Sequence, residues 1–373
     1  MKIYIIGQKG IPAMGGGVET HVQNLSLKLT EKGHDVFVYT RHSYSDKKLK
    51  KYQKVNLISL PSIKTKSLDA ISHTFLACLD LIFKRRADVV HFHSIGPASL
   101  IWLIKLFKPK TKIIFTFHSQ CYFNTKWGRL AKFYLNLGER IGCKMADEVI
   151  VVSENLKKYV EDKYGRRVHF IPNGVNTAKI LPANFIKNNW SIEKDSYILS
   201  VSRLVKNKGL EYLITAYNNI STDKKLVIVG DGSYINKLMK LASNNDNIIF
   251  TGKQHGDILA ELYSNANLFV QSSEAEGLSI SLLEAISYRL PILISDIEAN
   301  TEVLGEDSFS FKNKDINDLK LKLEKYLNKN ETEGLNSSKD LLDIDNNIEK
   351  KYNDIMSKYN WEDIVNKTIE LYK

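Results

Sequence analysis

The chain has 373 residues, of which 43% are hydrophobic and 25% are charged, an ordinary globular composition that excludes a disordered or fibrous protein. A chain of this length favours two domains. Its 3 cysteines are too few for a disulfide framework or a zinc ribbon and fit a reducing, cytoplasmic setting. Residues 1–180 hold 30 Lys and Arg against 13 Asp and Glu, a net charge of +17, whereas the remainder holds 23 against 29, a net charge of −6.

This asymmetry indicates an anionic partner for the N-terminal half, such as a membrane surface, nucleic acid or a phosphorylated substrate. A lysine-rich proteome would give the same composition without a special partner. The first apolar run is too short for a signal peptide. The later apolar stretches are about half the ~20 residues that a membrane span needs, so we expect no transmembrane helix.

Short apolar runs alternate with amphipathic segments over the first 171 residues, a pattern that predicts a parallel, doubly wound sheet. The predicted strands are Lys2–Ile6, Asp35–Thr40, Val55–Leu60, Asp88–Phe92, Lys112–Phe117, Glu148–Val152 and Val168–Ile171. The predicted helices are Val18–Lys32, Ser67–Lys84, Ala98–Phe107, Arg129–Met145 and Ser153–Tyr164.

A polar stretch from Pro172 to about Asp195 follows, where we predict a linker. The alternation then restarts and predicts a second doubly wound unit. Its predicted strands are Tyr197–Val201, Leu226–Val229, Ile248–Phe250, Leu268–Gln271 and Pro291–Ser295, and its predicted helices are Gly209–Ile220, Ser233–Ser243, Gly256–Ser264 and Ser279–Ser287. The segment Trp361–Tyr372 has apolar residues at helical spacing and should dock on a core.

The sequence thus predicts an N-terminal domain of residues 1–180, a C-terminal domain of residues 181–359, and a last helix of about 360–373 that can pack back on the first domain. Ligands of open α/β sheets bind at the carboxyl ends of strands, near the point where the strand order reverses. Two such sheets in one chain tend to face each other. We therefore expect the site in a cleft between them.

The loop after the first strand is glycine-rich and reads Gly7-Gln8-Lys9-Gly10-Ile11-Pro12-Ala13-Met14-Gly15-Gly16-Gly17. Consecutive glycines before a helix expose backbone N–H groups where the helix dipole favours anions. The spacing is neither that of a Walker loop nor the G-x-G-x-x-G of a dinucleotide fold. The loop predicts contact with a pyrophosphate, and a flexible surface loop is the alternative.

Two further motifs lie in the second half. Arg203 and Lys208, in the loop after Tyr197–Val201, can converge on one diphosphate, although a solvated basic loop is equally consistent with them. Glu276 precedes a glycine and a helix, and Glu284 lies in that helix among apolar residues. A buried carboxylate needs a partner, which either a hydroxyl-rich ligand or a structural cation would supply.

Histidines stand at two predicted strand ends. His91 and His93 straddle Phe92 and so face the same side of a strand, and His118 closes the strand Lys112–Phe117. No Cys or carboxylate stands beside them at ligand spacing, so we interpret them as polar contacts in the cleft and predict no metal site. His91 fits a core position equally well.

In their order along the chain, these motifs resemble those of the retaining, GT-B-fold glycosyltransferases of family four, the glycogen-synthase-like group with an E-x7-E motif. Glu276 and Glu284 have that spacing. The resemblance also includes Ile171-Pro172-Asn173-Gly174-Val175 and Val229-Gly230-Asp231-Gly232. The segments Ile6-Gly7-Gln8-Lys9-Gly10-Ile11-Pro12, Val90-His91-Phe92-His93 and Lys126-Trp127-Gly128 are similar to those of a bacterial subgroup that builds surface polysaccharides.

The resemblance implies transfer of a sugar, with retention, from a UDP-, GDP- or dTDP-linked donor to a glycan or a polyprenyl-diphosphate-linked acceptor, without a metal or another cofactor. It implies that Arg203 and Lys208 hold the diphosphate, that Glu284 binds ribose hydroxyls, and that Glu276 and His118 contact the donor sugar. It further implies that Gly16 and Gly17 lie against the phosphates or the sugar and that the Gly277–Ser279 backbone, with Leu278, assists. We place on the acceptor side Glu19, His93, Trp127 and Asn173.

The family often has glycine before the proline of the next strand, where this chain has Arg289-Leu290-Pro291, and a Gly-Gly pair before a glutamate, where it has Glu298-Ala299-Asn300-Thr301-Glu302. The N-terminal charge fits an acceptor on an anionic lipid at the inner membrane face, contacted through Arg129–Met145 and Lys47–Lys54. The alternatives are a nucleotide-sugar epimerase or sugar phosphorylase on the same fold, and a basic nucleic-acid-binding protein. No nucleic-acid-binding motif supports the last of these.

Overall fold

A computed structural model describes residues 1–65, 68–120, 122, 128–243, 245–332 and 349–373, with the backbone alone described at 329–332. The chain divides into two compact units. The N-terminal unit comprises Met1–Gly174 and Tyr359–Lys373, and the C-terminal unit comprises Val175–Lys358. The sequence placed this boundary near residue 180.

The N-terminal unit is built on an eight-stranded sheet with the order β3-β4-β2-β1-β5-β6-β7-β8. All neighbours are parallel except β3 and β4. The strands are β1 (Lys2–Ile6), β2 (Asp35–Arg41), β3 (Lys51–Tyr52), β4 (Val55–Leu60), β5 (Val89–His93), β6 (Lys112–Phe117), β7 (Glu148–Val151) and β8 (His169–Phe170). The helices are α1 (Gly17–Glu31), α2 (Asp69–Lys84), α3 (Ile95–Ala98), α4 (Ile101–Phe107), α5 (Arg129–Met145) and α6 (Glu154–Tyr164).

The C-terminal unit has a parallel six-stranded sheet with the order β11-β10-β9-β12-β13-β14. The strands are β9 (Tyr197–Val201), β10 (Lys225–Val229), β11 (Ile248–Gly252), β12 (Leu268–Gln271), β13 (Ile292–Ser295) and β14 (Ser310–Phe311). The helices are α7 (Phe185–Trp190), α8 (Leu210–Tyr217), α9 (Ile235–Ala242), α10 (Gly256–Ser264), α11 (Ile280–Ser287), α12 (Glu298–Leu304), α13 (Ile316–Thr332) and α14, described over residues 349–358.

The predicted architecture of two Rossmann-like α/β units is thus confirmed, because buried apolar strands alternate with helices in both. That the two sheets face a central cleft stays a prediction. The linker prediction is wrong in part, because α7 forms inside it. The side chain of Ile186 is fully buried, and the backbone N–H groups of Phe185 and Ile186 donate to Glu261 on α10.

The helix α15 (Trp361–Tyr372) belongs to the N-terminal unit, although the C-terminal unit precedes it in the chain. Trp361, Ile364 and Val365 are buried in the same apolar cluster as Val22 and Leu25 of α1. Gly174 makes this packing possible, because a Cβ atom at that position would lie 2.5 Å from the Trp361 ring.

Candidate functional site

The order of the C-terminal sheet reverses at β9, which lies between β10 and β12. Loops that leave the carboxyl ends of these strands diverge to opposite faces of the sheet and leave a crevice for ligands. The basic loop with Arg203 and Lys208 follows β9, and the loop with Glu276 follows β12. The sequence motifs of this half therefore lie at the switch point.

Glycines allow these loops to approach each other closely. Gly209 has a φ of +61°, and a Cβ atom there would lie 2.0 Å from the carbonyl oxygen of Ser272. Gly230 has a φ of +142°, and a Cβ atom there would lie 1.8 Å from the carbonyl oxygen of Ser202. Any side chain would push the loops after β9, β10 and β12 apart.

Lys208 and Glu276 form an ion pair within this crevice, and both side chains are largely buried. Ser273 adds a hydrogen bond of 2.7 Å from its Oγ to Glu276 Oε1. Arg203 is exposed, and its guanidinium has no hydrogen bond or ion pair among the residues that the structure describes. Of the two cations predicted to hold a diphosphate, Lys208 is thus paired, and Arg203 has no partner among the described residues.

The loop after β12 leads into α11 through Ser279, whose Oγ accepts a hydrogen bond from the Leu282 backbone N–H and donates one of 2.9 Å to Gln271 Oε1. This cap fixes the start of the helix, where Gly277, Leu278 and Ser279 present their backbone. Amides before a helix start favour anionic oxygens.

Glu284 lies one turn inside α11 and accepts a hydrogen bond of 2.9 Å from the Tyr263 hydroxyl at Oε2. Burial raises the pKa of this carboxyl group to about 7, against the opposing effect of the Tyr263 hydrogen bond. A carboxylate that is short of hydrogen-bond donors can accept bonds from the hydroxyls of a ligand.

The N-terminal sheet reverses its order at β1, which lies between β2 and β5. Gly7 has a φ of +128°, and a Cβ atom there would lie 2.1 Å from the carbonyl oxygen of His93, so the glycine-rich loop runs close to the end of β5. Gly16, with a φ of +110°, precedes α1, and a Cβ atom there would lie 2.2 Å from Glu19 Oε2. Glu19 itself is buried in the first turn of α1, and Gly17 is exposed.

A histidine cluster lies at this carboxyl edge and consists of His21 on α1, His93 on β5 and His118 after β6. The ring centroid of His21 lies 5.6 Å from the ring centroid of His93 and 5.2 Å from that of His118. His93 Nδ1 and His118 Nε2 are hydrogen-bonded at 3.0 Å. Burial lowers the pKa of His21 to about 4 and the pKa values of His93 and His118 well below their usual range, so all three are neutral at physiological pH.

Sequence reasoning missed His21, because on α1 it has the spacing of an ordinary buried residue. His91 is a core histidine: its Nδ1 bonds the Tyr372 hydroxyl at 2.8 Å and its Nε2 bonds Thr116 Oγ1 at 2.7 Å.

Among the predicted acceptor-side residues, Asn173 is buried and its Oδ1 has no hydrogen-bond partner in the described part of the chain. Trp127 lies outside the described residues.

The helices α4 and α5 pack together and expose apolar side chains on the N-terminal unit. Leu130 and Phe133 of α5 are 87% and 71% exposed, and Leu106 of α4 is 65% exposed. The exposed basic residues of α5 are Arg129, Lys132, Arg140 and Lys144. The one acid of α5, Glu139, is buried and accepts hydrogen bonds from Tyr159, Lys163 and Tyr164. The exposed face of α5 is therefore apolar and basic.

No described helix is long and apolar enough to span a membrane.

Comparison with known proteins gives two family matches. Residues 15–179 match Glycosyltransferase Family 4, and residues 183–340 match Glycosyl transferases group 1. The relatives include alpha-monoglucosyldiacylglycerol synthase of Streptococcus pneumoniae, 25% identical over 74% of this chain and 67% of its own length. The GPI3 subunit of phosphatidylinositol N-acetylglucosaminyltransferase from Saccharomyces cerevisiae is 24% identical over 96% of this chain and 79% of its own length.

Solved structures give the same fold. Sucrose-phosphate synthase from Thermosynechococcus elongatus superposes with a TM-score of 0.81 at 20% identity and covers 100% of this chain and 98% of its own. Anabaena HepE, solved in complex with UDP and glucose, has a TM-score of 0.78 at 16% identity and covers 99% of this chain and 98% of its own.

The fold places the chain in the GT-B class of proteins, with two Rossmann-like sheets. The chain is a glycosyltransferase, with a Glycosyltransferase Family 4 domain at residues 15–179 and a Glycosyl transferases group 1 domain at residues 183–340. The comparisons do not favour an epimerase, a phosphorylase or a nucleic-acid-binding protein.

Proposed function

We propose that this glycosyltransferase moves a sugar, with retention at the anomeric carbon, from a nucleotide diphosphate sugar to a lipid-linked or glycan acceptor in cell-surface polysaccharide synthesis. The observation that carries the proposal is the crevice at the C-terminal switch point, where Arg203 and Lys208 lie on the loop after β9 and Glu284 lies on α11, the helix that follows β12. The UDP and glucose bound to HepE, a protein of the same fold, support a nucleotide-sugar donor.

The diphosphate of the donor would bind to Arg203 and Lys208. Lys208 is already held by Glu276, so a bound diphosphate would share that ammonium group and free Glu276 to accept hydrogen bonds from the donor sugar. Two fixed cations would offset the charge on the departing diphosphate, so the transfer would need no metal there. The backbone of Gly277, Leu278 and Ser279 would complete the anion site.

The nucleoside would be held through its ribose hydroxyls by Glu284. His118 would contact the donor sugar, and Gly16 and Gly17 would lie against the phosphates. Glu19, His93, Trp127 and Asn173 would serve the acceptor side. Retention would follow front-face attack, with the departing phosphate accepting the proton of the acceptor hydroxyl.

A direct test supplies UDP-, GDP- and dTDP-sugars with a membrane extract as acceptor and follows product formation in the presence of a chelator. The anomeric configuration of the product is read by NMR. Retained configuration and transfer that the chelator leaves unchanged are expected. An inverted product would contradict retention, and loss of transfer on chelation would contradict metal independence.

Variants locate the donor site. Arg203→Ala and Lys208→Ala should each lower kcat about 100- to 1000-fold, because each removes a cation from the departing charge. Lys206→Ala is the matched control, since Lys206 is exposed in the same short 3₁₀ turn, Lys206–Lys208. Equal losses in all three variants would contradict the assignment.

We also propose that the protein works at the inner face of the cell membrane and binds its anionic lipids through α4 and α5. Exposed Leu130, Phe133 and Leu106 would enter the acyl boundary while the basic side chains of α5 meet the headgroups. Residues 1–180 contain 30 basic and 13 acidic residues, and their net charge of +17 would attract the anionic headgroups.

Flotation with vesicles tests this surface. The wild-type chain should float with vesicles rich in phosphatidylglycerol, float less at high salt because exposed charges are screened, and stay behind with neutral vesicles. Leu130→Ser with Phe133→Ser should abolish flotation. Leu321→Ser is the control, because Leu321 is 62% exposed on the C-terminal unit. Equal binding of neutral and anionic vesicles would overturn the proposal.

A further inference from the structure

Three histidines converge at the carboxyl edge of the N-terminal sheet. The three residues are His21 on α1, His93 on β5 and His118 after β6. One ring nitrogen from each lies within 4.8 Å of the chosen nitrogens of the other two. Three nitrogens bound to one zinc ion at 2.0–2.1 Å would be roughly 3.4 Å apart. Side-chain shifts of about 1 Å would therefore bring the three nitrogens to ligand distance.

The cluster has unused hydrogen-bonding capacity. Nδ1 of His21 and Nε2 of His93 are buried and have no hydrogen-bond partner among the described residues. A buried polar atom without a partner destabilises the fold, because it has lost its hydrogen bonds to water and gained none in exchange. His91, whose ring centroid lies 4.1 Å from that of His93, has both ring nitrogens bonded.

A divalent ion would accept free electron pairs of the ring nitrogens, because imidazole binds metals through either Nε2 or Nδ1.

We propose that His21, His93 and His118 form a binding site for a borderline transition-metal ion, zinc in particular. Three imidazoles and a position left for water or a ligand are a set that zinc accepts, and Co²⁺ would occupy the same site. Mg²⁺ and Ca²⁺ would not, because they require oxygen ligands. This ion would tie α1 to the ends of β5 and β6. Its three ligands lie in the N-terminal unit, whereas Arg203 and Lys208 lie in the C-terminal unit. The ring of His118 would hold the ion while the backbone of His118 stays available to the donor sugar.

The test uses the full-length chain without a histidine tag, stripped of metal by a chelator and titrated with Zn²⁺ against a chromophoric competitor. One zinc ion per chain is expected, with the visible absorption of tetrahedral Co²⁺ when cobalt replaces zinc. His21→Gln should weaken zinc binding at least about 10-fold, because even outer-shell partners of metal ligands are worth that much. His255→Gln, an exposed histidine on the C-terminal unit, is the matched control and should bind as the wild type does.

X-ray absorption on the zinc-loaded wild-type chain is independent of any folding defect in a variant. Three imidazole nitrogens at about 2.0 Å are expected. Failure to take up zinc at micromolar concentrations, unchanged binding by His21→Gln, or a shell with fewer than two imidazoles would each overturn the proposal. No substrate is present in these measurements, so their failure would leave the proposed transfer reaction untouched.

Discussion

Glu284 illustrates how burial prepares a single carboxyl group for recognition of hydroxyls. Its pKa of about 7 lies above the ordinary value of 4.5 because the folded chain removes water from the charged form. A ligand that donates hydrogen bonds to the carboxylate would replace the hydrogen bonds that water makes to it in the unfolded chain. The ligand-free protein with an ionised Glu284 is therefore less stable than the same protein with an uncharged side chain of the same shape at this position.

The sign of this effect gives a prediction. The unfolded chain ionises Glu284 near pH 4.5, while the folded chain does so only near pH 7, so the stability that the protonated carboxyl gives declines as pH rises between these values. Glu284→Gln does not titrate. Compared with wild type, it should be more stable at pH 8 by about 1–2 kcal/mol, a value discounted for partial solvent access, and nearly equal at pH 4.5.

Thermal unfolding at the two pH values checks this, with donor binding measured in parallel. Glu284→Gln should lose affinity for the nucleotide sugar while it gains stability at pH 8. A stability difference that is the same at both pH values would mean that the titration of Glu284 is not its cause.

Arg289 occupies a backbone conformation that favours glycine. It follows α11 with a φ of +59°, in the segment where the sequence departs from the glycine that is common in the family. A left-handed conformation costs a non-glycine residue about 1–2 kcal/mol. Arg289 adopts this left-handed conformation, and its guanidinium donates a hydrogen bond to the side-chain oxygen of Asn353 on α14.

A matched pair of variants isolates that cost. Arg289→Gly and Arg289→Ala both lose the contact with Asn353, but only alanine keeps the unfavourable conformation. The glycine variant should therefore be more stable than the alanine variant by about 1 kcal/mol in chemical unfolding. Equal stability of the two would show that the backbone relaxes at this position.

At the scale of elements, the sequence predicted the long buried strands, the amphipathic helices and the short β8, but it missed other short pieces. The strands β3 and β14 have two residues each, too few for any periodicity. The predicted helix Ala98–Phe107 is instead the last residue of α3 followed by the whole of α4, with a break at residues 99 and 100. Such elements are fixed by tertiary contacts that sequence patterns do not contain.

The same limit applies to the candidate site. The motif loops fall at strand ends, so their place in the fold was predictable from order along the chain alone. The convergence of His21 with His118 was not predictable, because it depends on where the tertiary fold places α1 relative to the end of β6. The pairing of Lys208 with Glu276 likewise depends on the approach of two loops that are far apart in sequence.

The docking of α15 depends on Gly174. Gly174→Ala should destabilise the N-terminal unit by about 1–3 kcal/mol, because the new Cβ atom would overlap the Trp361 ring. Gly128→Ala is the control, since a Cβ atom there meets no described residue within 4 Å. Chemical unfolding followed by tryptophan fluorescence measures both. A loss of stability in the control as large as that in Gly174→Ala would point to backbone entropy instead of the clash.

At the scale of the whole molecule, each unit has its own apolar core. Val365 of α15 is fully buried in the N-terminal core, and Leu323 of α13 is fully buried in the C-terminal core. All described members of each of these two clusters belong to one unit. Local losses of packing should therefore stay local.

Hydrogen exchange of the intact chain tests this. Val365→Ala should speed amide exchange in the strands β1, β2 and β5, and Leu323→Ala should speed it in β9, β10 and β12, with little change in the other unit in each case. Val365→Ala should cost its unit about 1–3 kcal/mol and the larger truncation Leu323→Ala about 2–5 kcal/mol. Faster exchange throughout both units from either variant would mean that they unfold as one cooperative body.

The return of α15 to the N-terminal unit has a consequence for synthesis on the ribosome. Domains of a growing chain ordinarily fold in the order in which they are made. Here the first 174 residues emerge early but lack Trp361, Ile364 and Val365 for their core, while the C-terminal unit is complete by Lys358. The part of the protein that is translated first therefore reaches its finished structure last, and until then the α1 face that will receive α15 stays open to chaperones.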